Sequence, residues 1–243
     1  MSVPSLKLPR VYPILDTGTL ARLEFPVIEA AEALLEGGAG ILQMRHKDFW
    51  GREAFALAEQ ISKLCREAGV PFVVNDRADY AAILGAGLHV GQDDLSPADA
   101  RRVLGPDAMV GFSTHNPAQM SDAASEPVDY VAFGPVFPTV SKENPDPVAG
   151  LAGLREVRTL TSRPLVAIGG ITLGNASQCF DAGADSLAVI GDILSAVSFP
   201  LSARPSSDKH LADGARKRSL RDRMAEWQKL QQHPLTGKAV TGK

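Results

Sequence analysis

Eight short runs rich in β-branched and aliphatic residues, at 11–15, 40–44, 72–75, 88–90, 109–113, 130–134, 165–168 and 186–190, alternate with longer stretches of helical period. Segments 27–36, 52–67, 97–104 and 175–181 carry apolar residues every three or four positions, the spacing of one buried helix face. Strand followed by helix, repeated around the chain, predicts parallel βαβ units. Glycine-bearing turns such as Gly37-Gly38-Ala39-Gly40 and Ala182-Gly183-Ala184 suit helices that end and run straight into the next strand. No G-x-G-x-x-G follows the first run, which disfavours an open doubly wound sheet. The expectation is an α/β fold, a (β/α)8 TIM barrel over residues 1–199. A chain of 243 residues with 44% hydrophobic content is ample for one such core.

Beyond 199 the pattern changes to a linker and then, at 208–232, a charged helix in which Arg216, Lys217, Arg218, Arg221 and Arg223 outnumber the acids. Its thin apolar face predicts a solvated helix packed loosely on the barrel. Residues 200–243 therefore read as a C-terminal helical extension, with 235–243 disordered.

A net charge of -3 and a pI near 6.0 create no field for a polyanion, so nucleic acid is excluded as a partner class and a small molecule is expected. No stretch approaches the roughly 20 apolar residues of a membrane span, and residues 1–10 hold no apolar leader core. A cytoplasmic protein with no membrane partner follows, and homo-oligomerisation is left open. Cys65 and Cys179 lie far apart in helical segments, without zinc or disulfide spacing, and read as inert buried thiols.

In a barrel of this kind the site is built where strands end. The second strand ends in Gln43-Met44-Arg45-His46-Lys47, and alternation turns Gln43, Arg45 and Lys47 toward the mouth and Met44 away. A guanidinium fork beside an ammonium suits a diphosphate. Asn75-Asp76-Arg77 follows the third strand and Gly91-Gln92-Asp93-Asp94 the fourth. Carboxylates beside a polyanion repel it unless a hard divalent ion lies between, so Asp76 and Asp94 are the candidate Mg2+ ligands. Ser113-Thr114-His115-Asn116 follows the fifth strand, and the sixth leads into a hydroxyl-rich loop with one cation, Lys142, of a length that suits a lid. Gly169-Gly170 and Gly191 form turns after the last two strands, where such barrels bind a monophosphate through backbone amides. Of the five histidines, His89 reads as buried and satisfied and His115 as a substrate contact. Nothing resembles a Ser-His-Asp triad or a paired-carboxylate hydrolase.

These residues carry a resemblance. From Tyr12 to about Ala196 the chain resembles the thiamine-phosphate synthase family through Gln-x-Arg-x-Lys at 43–47, Asn75-Asp76-Arg77, His-x-Gly-Gln-x-Asp at 89–94 and Ser113-Thr114-His115. The match continues through Gly134-Pro135-Val136-Phe137-Pro138-Thr139-x-Ser141-Lys142, Gly150-Leu151 and Ala167-Ile168-Gly169-Gly170-Ile171. The resemblance implies a transferase that joins a hydroxymethylpyrimidine diphosphate to a thiazole ethyl phosphate, releasing diphosphate and forming thiamine monophosphate. It implies that Gln43, Met44, Arg45, His46, Lys47, Asn75, Ser113 and Lys142 hold the pyrimidine diphosphate, with Asp76 and Asp94 on Mg2+. Thr139, Val140, Ser141, Gly170, Ile190 and Gly191 would receive the thiazole phosphate, and Arg45, Lys47, Ser113 and Lys142 form the implied catalytic set.

Three departures stand out. Ile190-Gly191-Asp192 lacks the family's usual serine after the apolar residue, 85–88 is one residue short before His89, and the tail beyond Pro200 is additional. The alternatives are a thiazole tautomerase-like paralogue, against which Asp76, Asp94, Arg45 and Lys142 argue, and a silent barrel that binds a phosphorylated ligand. A sugar-phosphate isomerase lacks a convincing base.

Overall fold

The computed structural model describes residues 7–139, 146–198 and 209–232. Strand β1 (Val11–Asp16) precedes α1 (Thr17–Arg22) and α2 (Val27–Glu36), and β2 (Leu42–Arg45) precedes α3 (Arg52–Ala68). Then come β3 (Phe72–Asn75) with α4 (Ala78–Leu84), β4 (Gly87–Val90) with α5 (Pro97–Leu104), and β5 (Val110–Thr114) with α6 (Pro117–Ala123). Next are β6 (Tyr130–Phe133) with α7 (Gly150–Leu160), and β7 (Leu165–Ile168) with α8 (Ala176–Asp181). Finally β8 (Ser186–Val189) leads into α9 (Gly191–Leu194), a 3-10 turn (Ser195–Val197) and α10 (Lys209–Gln228).

These strands are buried on both faces, a condition that parallel strands meet when crossover helices cover them. All eight pair in parallel with their sequence neighbours, and β1 closes on β8 through Val11↔Leu187 and Pro13↔Val189. The TIM barrel is confirmed. Period-two alternation sorts its residues into two cores. Tyr12, Ile14, Val73, Tyr130, Val166 and Ala188 fill the interior, whereas Leu15, Met44, Val74, Leu88, Val131 and Leu187 face the helices. Caps fix the helix starts: the Ser96 hydroxyl accepts from Asp99 N at 3.1 Å and Asn116 from Gln119 N at 3.0 Å, each followed by a first-position proline.

At the end of the barrel where strands begin, one device occurs twice. Asp129 accepts from Val110 N at 2.7 Å and from Arg101 at 2.6 Å. Two strands on, Asp185 accepts from Leu165 N at 2.9 Å and from Arg158 at 2.8 Å.

Helix α10 corrects one expectation. It lies along α2 and touches α9, and Leu220, Met224 and Trp227 are fully buried, so it is docked rather than loosely laid. A Cβ on Gly37, at the end of α2, would fall 2.6 Å from both the Arg221 carbonyl oxygen and Met224 Cβ. Arg216, buried, donates to the carbonyls of Leu23, Glu24 and Val197. Arg223 grips both oxygens of Asp192 at 2.8 Å, and the Trp227 indole donates to the same carboxylate at 2.8 Å. Polar side chains thus add to the docking made by Leu220, Met224 and Trp227.

Candidate active site

The strand C-termini enclose a cavity of about 460 Å3. Its floor is the interior core, with the buried residues Tyr12, Ile14, Tyr130, Ala132, Val166 and Ala188 beneath it. The rim is polar because inward positions continue past each strand end. Gln43, Arg45 and Lys47 line one wall, followed by Asn75 and Asp76, then His89 and Asp94. Pairing puts Asn75 beside His89 and His89 beside Gly111.

Charges on this wall are paired across strands. Arg45 donates to Asp16 at 2.5 Å, and Asp16 also caps α1 by accepting from Thr19 N at 2.8 Å. Lys47 reaches the Asp76 carboxylate. Asp76 sits at φ 67°, a conformation rare outside glycine, asparagine and aspartate that clusters at functional sites. Its neighbour Asp94 accepts from Gly91 N at 2.7 Å. Burial first, and then the Asp94 carboxyl in hydrogen-bond contact, push the Asp76 carboxyl up to about 6, with Lys47 pulling the other way. Two acids held together against their own repulsion fit a divalent cation. With no cluster of three or more protein ligands among the described residues, such an ion would take its remaining oxygens from a phosphorylated ligand and water, the habit of Mg2+.

The Asn75 side chain is buried, and its Nδ2 has no hydrogen-bond partner. A buried amide donor left unpaired costs about 1–3 kcal/mol, which an acceptor in the cavity would relieve. His89 is buried, as expected, with burial pulling its pKa down to about 4, and it is satisfied by Tyr130 and Ser113. Burial likewise pushes the Tyr12 hydroxyl up to about 12. His115 faces the cavity with Nδ1 2.7 Å from the Gly134 carbonyl oxygen.

Two of the implied contacts, Met44 and His46, keep their side chains out of the cavity lining. Met44 is fully buried in the outer core, because alternation turns it to the helices, so only its backbone could meet a ligand. The His46 ring leaves the cavity, with Nδ1 2.8 Å from Thr17 Oγ1 and its edge on Trp50. Thr139 and Ile190 line the cavity, whereas Val140, Ser141 and Lys142 lie outside the described residues. Gly169 and Gly170 have a packing reason to be glycine: a Cβ would fall 2.5 Å from Pro135 and 2.3 Å from the Pro138 oxygen. The 135–138 segment therefore rests directly on the β7 turn. Gly191 opens α9 and is followed by the Asp192 that α10 holds. Tyr12, Tyr130, Gln92, Gln119 and Asp146 also line the cavity and were not singled out from the sequence. Tyr12 and Tyr130 were discoverable, as polar-tipped residues at inward strand positions.

Residues 11–193 match the profile of the family described as thiamine monophosphate synthase. The thiamine-phosphate synthase of Koribacter versatilis is 51% identical over 196 residues, covering 78% of this chain and 90% of that protein. That of Thermus thermophilus is 46% identical over 171 residues, covering 70% and 82%. The solved thiamine phosphate pyrophosphorylase of Pyrococcus furiosus superposes with a TM-score of 0.69 at 30% identity, covering 89% of this chain and 96% of that one. With its barrel, its rim and these matches, the chain belongs to the thiamine monophosphate synthase family.

Proposed function

We propose that this protein is a thiamine-phosphate synthase that joins 4-amino-2-methyl-5-(diphosphooxymethyl)pyrimidine to 4-methyl-5-(2-phosphooxyethyl)thiazole. One observation carries the site assignment: Asp76 and Asp94 share a wall with Arg45, Lys47 and the unpartnered amide of Asn75. Acids, cations and a spare neutral donor together suit a diphosphate and its metal better than either alone.

Asp76 and Asp94 would hold Mg2+, which when bound neutralises the charge that gathers on departing diphosphate. The carbon–oxygen bond to the pyrimidine methylene breaks, and its electron pair leaves with the diphosphate. The lone pair of the thiazole nitrogen then forms the new carbon–nitrogen bond, and no base is required. Arg45, Lys47 and Lys142 stabilise the leaving group, and Asn75 and Ser113 orient the pyrimidine half. Thr139, Val140, Ser141, Gly170, Ile190 and Gly191 receive the thiazole phosphate, and closure of the 135–150 loop keeps water from the electron-poor methylene. No helix of the described residues is long and apolar enough to cross a membrane, and a cytoplasmic location suits the small phosphorylated substrates.

The test mixes purified protein with both substrates and follows thiamine monophosphate with Mg2+ and with EDTA. Metal-dependent product is expected; binding of the thiazole phosphate without product in either condition refutes the activity. Lys142→Ala should lower turnover strongly with thermal stability nearly unchanged, and undiminished turnover removes Lys142 from the catalytic set.

A further inference from the structure

Five polar side chains form one hydrogen-bonded line through the barrel interior, from β2 across β1, β6 and β4 to β5. Gln43 Nε2 donates to the Tyr12 hydroxyl at 3.0 Å, and that hydroxyl lies 2.9 Å from the hydroxyl of Tyr130. The Tyr130 hydroxyl lies 3.0 Å from His89 Nδ1, and His89 Nε2 lies 2.8 Å from Ser113 Oγ. Gly111 makes the line fit: a Cβ there would fall 2.0 Å from the Tyr130 ring.

The direction of the line follows from counting protons. Tyr12 and Tyr130 are closed to solvent, so each hydroxyl proton needs an acceptor within the line. Tyr12 accepts from Gln43, which leaves the Tyr130 oxygen to receive the Tyr12 proton. Tyr130 must then donate to His89 Nδ1. An imidazole that accepts at Nδ1 is neutral and carries its proton on Nε2, so it donates to Ser113. The Ser113 hydroxyl is left with its own proton to place, and Ser113 opens on the cavity.

We propose that Tyr12, Tyr130 and His89 are positioning residues that oblige the Ser113 hydroxyl to donate a hydrogen bond to an uncharged acceptor atom of the ligand. Resting on the function proposed above, that acceptor is an unprotonated ring nitrogen of the aminopyrimidine. No member of the line carries a charge, so the nitrogen is recognised without being protonated. The ring thereby keeps the electron density that supports positive charge on its methylene carbon.

Nitrogen-15 NMR of histidine-labelled, full-length protein without ligand reads the tautomer of His89. The expected result is the proton on Nε2; a proton on Nδ1 reverses the line, turns the Ser113 proton inward and overturns the proposal. A second measurement is steady-state kinetics of Tyr130→Phe. We expect KM for the pyrimidine diphosphate to rise about five- to tenfold, the scale of one hydrogen bond, with KM for the thiazole phosphate unchanged. An equal change in both constants, or in neither, overturns the positioning role. The tautomer is read without turnover, so a protein that keeps Nε2–H yet makes no thiamine monophosphate refutes the pyrimidine assignment while the direction of the line stands.

Discussion

The two ends of the barrel use the same side chains to opposite effect. Where strands begin, Asp129 and Asp185 each close onto a neighbouring strand's N–H and onto an arginine of the preceding helix, and Arg163 caps the carbonyls of Glu126 and Val128. Those charges are used up in joining strand to strand. Where strands end, Asp76 is held in a left-handed backbone beside another acid, and Asn75 keeps an amide without a partner. Charge there is arranged for a molecule that has yet to arrive. The difference separates cohesion from chemistry within one sheet, as barrels of this class do, and it says which substitutions should cost stability and which activity.

The largest expected effect is at the mouth. Asp76→Asn should lower thiamine monophosphate formation more than about a hundredfold, beyond the loss usual for groups that merely support a metal ligand. Its melting temperature should hold or rise, since asparagine tolerates the backbone conformation and the repulsion from Asp94 is gone. A variant that melts earlier and keeps its activity would dissolve the contrast.

At the opposite end, Asp185→Ala leaves Leu165 N without its acceptor and removes the Arg158 ion pair, and should cost about 1–3 kcal/mol, a drop of roughly 3–10 °C by thermal denaturation. Turnover per folded molecule should stay at the parent level, and a fall in kcat at unchanged melting temperature would place this end in the catalytic machinery.

A smaller effect concerns pH. Because the folded protein raises the Asp76 carboxyl from 3.8 to about 6, it binds that proton more tightly than the unfolded chain does. The metal-free protein should therefore lose stability relative to Asp76→Asn as pH climbs from about 4 to 6, with no further divergence above. Urea midpoints of the two proteins across that window measure it, and parallel curves would mean that the acid pair is not under strain.

The strands and the polar residues that follow them are legible in the sequence, whereas the Asp129 and Asp185 ties at the other end are not. Runs 72–75 and 165–168 coincide with β3 and β7, because both are compact apolar stretches bounded by turn residues. The second run, expected at 40–44, slides to Leu42–Arg45, since pairing with β1 places Arg45 opposite Asp16, a partnership that no local pattern encodes. The meeting of Asp76 with Lys47 and Asp94 could be anticipated from position after strands, but the orphan amide of Asn75 could not, because an unmade bond is a property of three-dimensional surroundings. Tyr12 and Tyr130 fall within the first and sixth strand runs, and their hydroxyls meet only because the barrel closes across 118 residues. The docking of α10 was hidden for another reason: Asp213 and Arg216 look solvated in sequence, yet both are buried.

The covering of Gly37 by α10 has a consequence for synthesis. Helix α2 leaves the ribosome early, while the surface that covers it arrives late; the ion pair that ties them, Lys217 to Glu32, spans 185 residues. At roughly 5–20 residues per second, about ten to forty seconds separate the two. Throughout that interval the nascent chain carries an open apolar seam along its first long helix. The barrel can thus be nearly fully translated, with its catalytic rim already encoded, and still be unable to seal until residues near Trp227 emerge.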